Sequence, residues 1–195
     1  MSLLLSMAAF ALASSISPGP VNLVALSAGA QFGLRPAMRH VTGATLGFTL
    51  LLLMIGLGLS ELLQWWPWLT ESIRLAGVAF LMYMAFRLAS DDGHLSADKP
   101  AMHPTMCYGA AMQWLNPKAW LASIAGMSLF AAAGDALSVA RFAAVYFVVC
   151  YASLACWAYA GSFLRHYLSK PGRVRLFNRL MAALLVGCAL YLLMS

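Results

Sequence analysis

Along this chain, apolar residues come in long runs and polar residues in short gaps. The runs cover about Leu3 to Phe32, Val41 to Ser60, Leu69 to Ala89, Cys107 to Ala133, Phe142 to Leu164 and Leu176 to Met194. Each is close to the roughly 20 apolar residues a helix needs to cross a bilayer. Segments in lipid must satisfy their backbone groups internally, so all six are expected to be helical. The pattern predicts an all-α, polytopic membrane protein of six transmembrane helices forming one domain over residues 1–195. Two runs are interrupted. The first breaks at Ser17-Pro18-Gly19-Pro20 and the fourth at Asn116-Pro117-Lys118.

Composition narrows the classes. Of 195 residues, 63% are hydrophobic and 9% charged. A soluble domain is about 45–50% apolar and about 25% charged. The mean hydropathy of +0.81 agrees with a lipid solvent. A soluble globular enzyme, a disordered chain and a nucleic-acid-binding domain are excluded, since a basic face would need clustered charge. Six spans use about 32 residues each with their loops, which leaves no room for a soluble domain. No Lys or Arg precedes Arg35. The basic region of a signal peptide is therefore missing, and the first run reads as a retained membrane helix.

The charge of +6 reads as a topology signal. Arg35, Arg39, Arg87, Lys99, Arg165, Lys170, Arg173, Arg175 and Arg179 fall in the odd-numbered gaps, against Arg74 and Arg141 in the even ones. Nine against two puts the odd gaps in the cytoplasm. Both termini then face outward. Trp65-Trp66-Pro67-Trp68 falls in an outer gap and suits an interfacial aromatic belt.

The polar stretch from Ser90 to Pro104 divides the chain into halves of three runs, residues 1–90 and 104–195. A unit that crosses the membrane three times must be inverted in its copy. Pro18 and Pro117 lie 99 positions apart, so the breaks correspond. Paired broken helices in inverted halves mark the central site of a transporter.

Candidate chemistry is sparse. There is no HExxH, GxSxG or P-loop pattern, and the interior of the spans contains no Asp or Glu. His40, His94, His103 and His166 read as gap residues without metal-ligand spacing. Cys107, Cys150, Cys156 and Cys188 read as small packing residues. This disfavours an enzyme and predicts no metal or cofactor. The double-proline break frees carbonyls and exposes a half-helix N-terminus near Pro20, with Asn22 one turn in. Such a break either lines a polar site or is a packing kink. Lys118 is the one charge deep in a run, and it either faces a cavity or snorkels to the surface. Asn116 and Pro117 also suit a helix start, as N-cap and first residue. Small residues recur every four positions: Gly43 and Gly47; Ala25, Gly29 and Gly33; Ala152, Cys156 and Ala160; Ala183 and Gly187. These predict close helix packing, and Gly43 and Gly47 also leave room beside a site.

The stretches S-P-G-P at 17–20, G-L-R-P-A-M-R-H-V-T-G-A-T-L-G at 33–47, R-L-A-G-V-A-F-L-M-Y-M-A-F-R-L at 74–88 and N-P-K-A at 116–119 resemble the LysE/RhtB family of bacterial amino-acid exporters. Residues 18–27 look most like the branch that exports cysteine and O-acetylserine. The resemblance implies a small inner-membrane exporter of amino acids or their metabolites, driven by an ion gradient. A proton is the expected coupling ion, and a homodimer is compatible with it. Two departures stand out. Val21 follows the second proline where the family usually has Asn, and residues 43–49 lack the Asp that many members carry.

The expected function is secondary export of small, mainly neutral amino acids. Ser17, Pro18, Gly19, Pro20, Asn22, Thr42, Gly43, Thr45, Gly47, Asn116, Pro117 and Lys118 are the expected substrate site. The carboxylate would lie near Pro20 and Lys118, and hydroxyls of Ser17, Thr42 or Thr45 would take the ammonium. The two breaks are expected to meet around one polar cavity near the bilayer midplane. Rival readings are a membrane scaffold or assembly factor and a thiol-redox carrier.

Overall fold

The computed structural model describes residues 3–59, 67–90, 105–131, 135–164, 167 and 170–194. Trp65, Trp66, the 91–104 portion of the connecting stretch, and Arg165 with His166 lie outside them. Among the described residues there are eight α-helices: α1 (Leu3–Ile16), α2 (Pro20–Phe32), α3 (Leu34–Met54), α4 (Pro67–Ala89), α5 (Met106–Trp114), α6 (Pro117–Phe130), α7 (Ala136–Leu164) and α8 (Pro171–Met194). A π-helical turn, Ile55–Leu59, extends α3. Leu34–Gly58 and Ala136–Leu164 are each long and apolar enough to cross a membrane, and α1 with α2 forms a third such unit, bent by 63° at its break. The molecule is thus an all-helical protein built to span a bilayer.

Local chemistry sets the helix ends. α2 begins at Gly19-Pro20, where Pro supplies the fixed φ of a first helical residue and lacks only an N–H that has no partner there anyway. Asp135 stands before α7 and accepts from Leu137 N at 3.1 Å and from the Ser138 hydroxyl. That hydroxyl, with the backbone donors behind it, holds the Asp135 carboxyl below its usual range. α2 turns straight into α3 through Gly33, whose φ of 86° and ψ of 174° belong to a region only glycine occupies freely. This tight turn starts α3 at Leu34, well before the Val41 expected from hydropathy. Arg35 and Arg39 therefore sit on the helix itself, both exposed.

Two pairs of helices meet backbone to backbone. A Cβ on Gly29 of α2 would stand 2.1 Å from the Ala158 carbonyl oxygen of α7, and one on Gly161 of α7 would stand 2.0 Å from that of Leu26. A Cβ on Gly43 of α3 would stand 1.9 Å from the Met106 carbonyl oxygen of α5, and one on Gly47 would stand 2.7 Å from the Ala110 Cα. With no hydrophobic force between helices in lipid, such close approach is what holds them together. Two expected stripes are corrected. Ala152, Cys156 and Ala160 are exposed, and α7 instead buries Ser153, Leu154, Ala158 and Gly161. Small residues at four-residue spacing occur on two faces of α7, and the face with Gly161 admits a backbone. Ala183 and Gly187 of α8 are also exposed. That helix buries Val174, Phe177, Asn178, Met181, Leu185 and Ala189, and packs on α4. Large apolar side chains such as Leu50, Leu121, Val148, Phe163 and Leu176 point outward, as lipid-facing residues do.

Candidate functional site

The last carbonyls of α1 lose their helical partners at the Ser17–Pro20 break, and each finds a donor elsewhere. Ser14 O accepts from Ser17 Oγ at 3.2 Å, and Ser15 O from Asn22 Nδ2 at 2.7 Å. Ile16 O accepts from the Trp157 indole of α7 at 3.1 Å, and Ser17 O from Lys118 Nζ at 2.8 Å. Four donors from four places thus close the negative end of α1. Lys118 also donates to Ser17 Oγ at 2.8 Å, so the break in the first half and the break in the second touch directly. Gly19 makes room for this contact: a Cβ there would lie 3.3 Å from Lys118 Nζ.

The second break is a capped helix start. Asn116 Oδ1 accepts from Lys118 N at 3.2 Å, and Pro117 is the first residue of α6. Asn116 Nδ2 reaches Gln113 Oε1 at 3.4 Å. Two tryptophans brace it. Trp120 Nε1 donates to Trp114 O at 2.8 Å, and Trp114 Nε1 to Gly47 O of α3 at 3.1 Å.

Beside these contacts opens a pocket with about 350 Å³ of empty space, its mouth included. Lys118, Asn116, Gln113, Asn22, Ser14 and Ser15 give it a polar side. Phe48, Tyr146, Leu154 and Ala122 give it an apolar side, and Cys150 lies between. Among the described residues, no carboxylate lines it. Ser15 Oγ is buried beside the Tyr146 hydroxyl and the Cys150 thiol and faces this space. Nor do any three described His, Cys, Asp or Glu side chains gather as metal ligands would.

Of the residues expected in the site, Asn22, Asn116 and Lys118 line the pocket, and Ser17 joins it through Lys118. Pro18, Gly19 and Pro20 form the break at its edge, outside the lining, and Pro117 starts α6. Gly43 and Gly47 lie against α5, and the Thr42 hydroxyl bonds Met38 O of its own helix at 2.8 Å. Thr45 is fully buried behind the pocket next to Cys150. Gln113, Tyr146 and Cys150 had no signal in the sequence beyond their place in apolar runs. His40 is corrected from a gap residue to an enclosed side chain of α3, because the Gly33 turn starts that helix early.

Broken helices meeting at a polar pocket inside an all-helical membrane protein define a transporter, not an enzyme. Residues 12–195 match the LysE type translocators, and the chain belongs to that family. It is similar to the cysteine/O-acetylserine efflux protein of Escherichia coli (strain K12), 28% identical over 184 residues, 92% of each chain. It is 26% identical to the protein of the same description from Klebsiella pneumoniae over 183 residues, 92% of this chain and 91% of the relative. No solved structure matches it.

Proposed function

We propose that the protein is a secondary exporter of small, mainly neutral amino acids or close metabolites, of the cysteine and O-acetylserine kind, driven by proton entry. The observation that carries this reading is the Lys118–Ser17 contact. An ammonium here holds a freed carbonyl and a hydroxyl at 2.8 Å each. An amino acid inserted into that contact replaces both halves at once. Its carboxylate takes Lys118 and the positive N-terminal ends of α2 and α6. Its ammonium takes the Ser17 carbonyl and hydroxyl that Lys118 gives up. A ligand with only one of these groups leaves a buried partner unpaired, at about 1–3 kcal/mol. The apolar side of the pocket, with Phe48, Tyr146 and Leu154, then receives a short uncharged side chain.

The test is counterflow in vesicles holding the purified protein. Labelled L-cysteine, kept reduced, is expected to exchange, with competition by serine and O-acetylserine. Cysteamine and 3-mercaptopropionate should compete about tenfold or more weakly, by the cost of the orphaned group. Equal competition by either would remove the insertion reading, and no exchange of any amino acid would favour a scaffold role.

The same proposal includes one membrane domain of two inverted halves, 1–90 and 104–195, joined by a cytoplasmic stretch, with both termini periplasmic. What supports the inversion is the helix order on either side of the breaks. α1 lies against α7 and α5 against α3, so each half's short first helix rests on the other half's long one. α3 and α7 meet, as do α4 and α8. Every one of these pairings maps onto another or itself when the halves exchange. Alkaline phosphatase fused after Ser195 is expected to be active outside the inner membrane. Activity confined to a cytoplasmic reporter at that position would reverse the orientation.

A further inference from the structure

A second base stands behind the first break. His40 lies in the second turn of α3 and is completely enclosed. No side chain among the described residues partners either ring nitrogen, and the one polar group at the ring is the Val21 backbone. The backbone of Val21 stands beside the ring, and Val21 itself lines the pocket. On the other side lies the Tyr108 ring, 5.9 Å away between centroids, with its hydroxyl turned to the Met84 sulfur. The segment from Ser17 to Val21 therefore runs between two bases, Lys118 toward the pocket and His40 behind.

Among the described residues, the ionisable groups on the elements around the ring include no carboxylate. α2 carries none, α5 brings Cys107 and Tyr108, and α4 brings Tyr83 and Arg87 beyond Tyr108. On α3 itself Arg39 precedes it. The face toward α5 is shut by backbone contact, since a Cβ on Gly109 would stand 2.3 Å from the His40 carbonyl oxygen. On the α2 side the ring's neighbour is the break segment itself, at the Val21 backbone.

We propose that His40 carries the coupling proton of the export cycle, taking it up only when the Ser17–Val21 segment moves aside and water reaches the ring. This rests on the proton-driven reading above, in which Lys118 is committed to the substrate and the one carboxylate within the described helices, Glu71, is exposed near the start of α4. An imidazolium enclosed with the Val21 backbone as its one polar neighbour and no counter-charge is costly to bury. The conformation described here is that of the neutral ring, and the protonated ring belongs to the alternative one. One proton enters from the periplasmic side, binds a ring nitrogen, and leaves to the cytoplasm as one substrate passes outward. Substrate and proton then favour opposite conformations, and by linkage each weakens the binding of the other.

The test uses the full chain in vesicles with labelled L-cysteine, comparing the wild type with His40→Gln and His40→Asn. In the wild type, an imposed pH gradient should drive accumulation. In the variants that accumulation should fall about tenfold or more, while counterflow without a gradient stays within about threefold, because exchange needs no proton step. Variants that still accumulate cysteine down the gradient overturn the assignment to His40. A wild type that ignores the gradient while exchanging cysteine overturns proton coupling itself, and the proposal with it. Should neither variant yield monodisperse protein, ¹⁵N-histidine spectra of the wild type decide. One imidazole midpoint moving down by about one pH unit on saturation with cysteine, a tenfold coupling, upholds the proposal. No imidazole responding overturns it.

Discussion

Lys118→Met is expected to lower transport at low substrate concentration by about 10–100-fold, the worth of a charge-assisted hydrogen bond of about 1.5–3 kcal/mol. The methionine keeps the length and apolar stem of lysine, so the protein should still be made and inserted. What it loses is the ammonium that now holds Ser17 O and Ser17 Oγ at 2.8 Å. Lys118→Arg keeps the charge, and it should retain more activity than the methionine variant. A guanidinium is larger, however, and Gly19 leaves the lysine tip little room, with a Cβ position only 3.3 Å from Nζ. The measurement is the initial rate of L-cysteine counterflow at several concentrations. Wild-type rates for Lys118→Met would confine the residue to a structural tie between the breaks.

Gly29→Val is expected to have a large effect on stability. Its first side-chain carbon would lie 2.1 Å from the Ala158 carbonyl oxygen and 2.9 Å from Ser162 N, both backbone atoms that cannot rotate away. α2 would have to lift off α7, at about 1–3 kcal/mol or more for overpacking. In lipid no hydrophobic gain draws the helices back. Gly187→Val is the control, because nothing lies within 4 Å of a Cβ there. Melting in detergent, followed by size-exclusion chromatography, should separate the two clearly. An unchanged melting point for Gly29→Val would mean that the α2–α7 contact is not tight in the membrane-solubilised protein.

The residues differ in how much they disclosed in the sequence. Ser17-Pro18-Gly19-Pro20 and Asn116-Pro117 were legible because proline acts locally: the lost N–H and the ring clash break a helix wherever it sits. Observed breaks fall at those positions, between Ile16 and Pro20 and between Trp114 and Pro117. Lys118 was legible as an anomaly of charge, but its partner was not, since Ser17 lies 101 positions away. The lining residues Gln113, Tyr146 and Cys150 were hidden for the same reason. In a span apolar on every side, hydropathy does not tell the inward face from the lipid face. Small residues misled on α7 and α8 because four-residue spacing marks a face without saying what lies opposite. His40 was misplaced by one glycine, Gly33, whose turn spends a single residue between two helices.

The two half-helices beyond the breaks are not held alike. α2 is wedged against α7 backbone to backbone through Gly29 and Gly161, whereas α6 meets its neighbours through side chains, Gly126 against the Phe142 ring, Met127 against Gly56 and Phe130 against Phe10. The consequence is kinetic. A rearrangement that swings α6 has side chains to repack, while one that frees α2 must pull apart backbones in close contact. In the export cycle proposed above, the faster leg is then expected in the second half of the chain and the slower leg in the first.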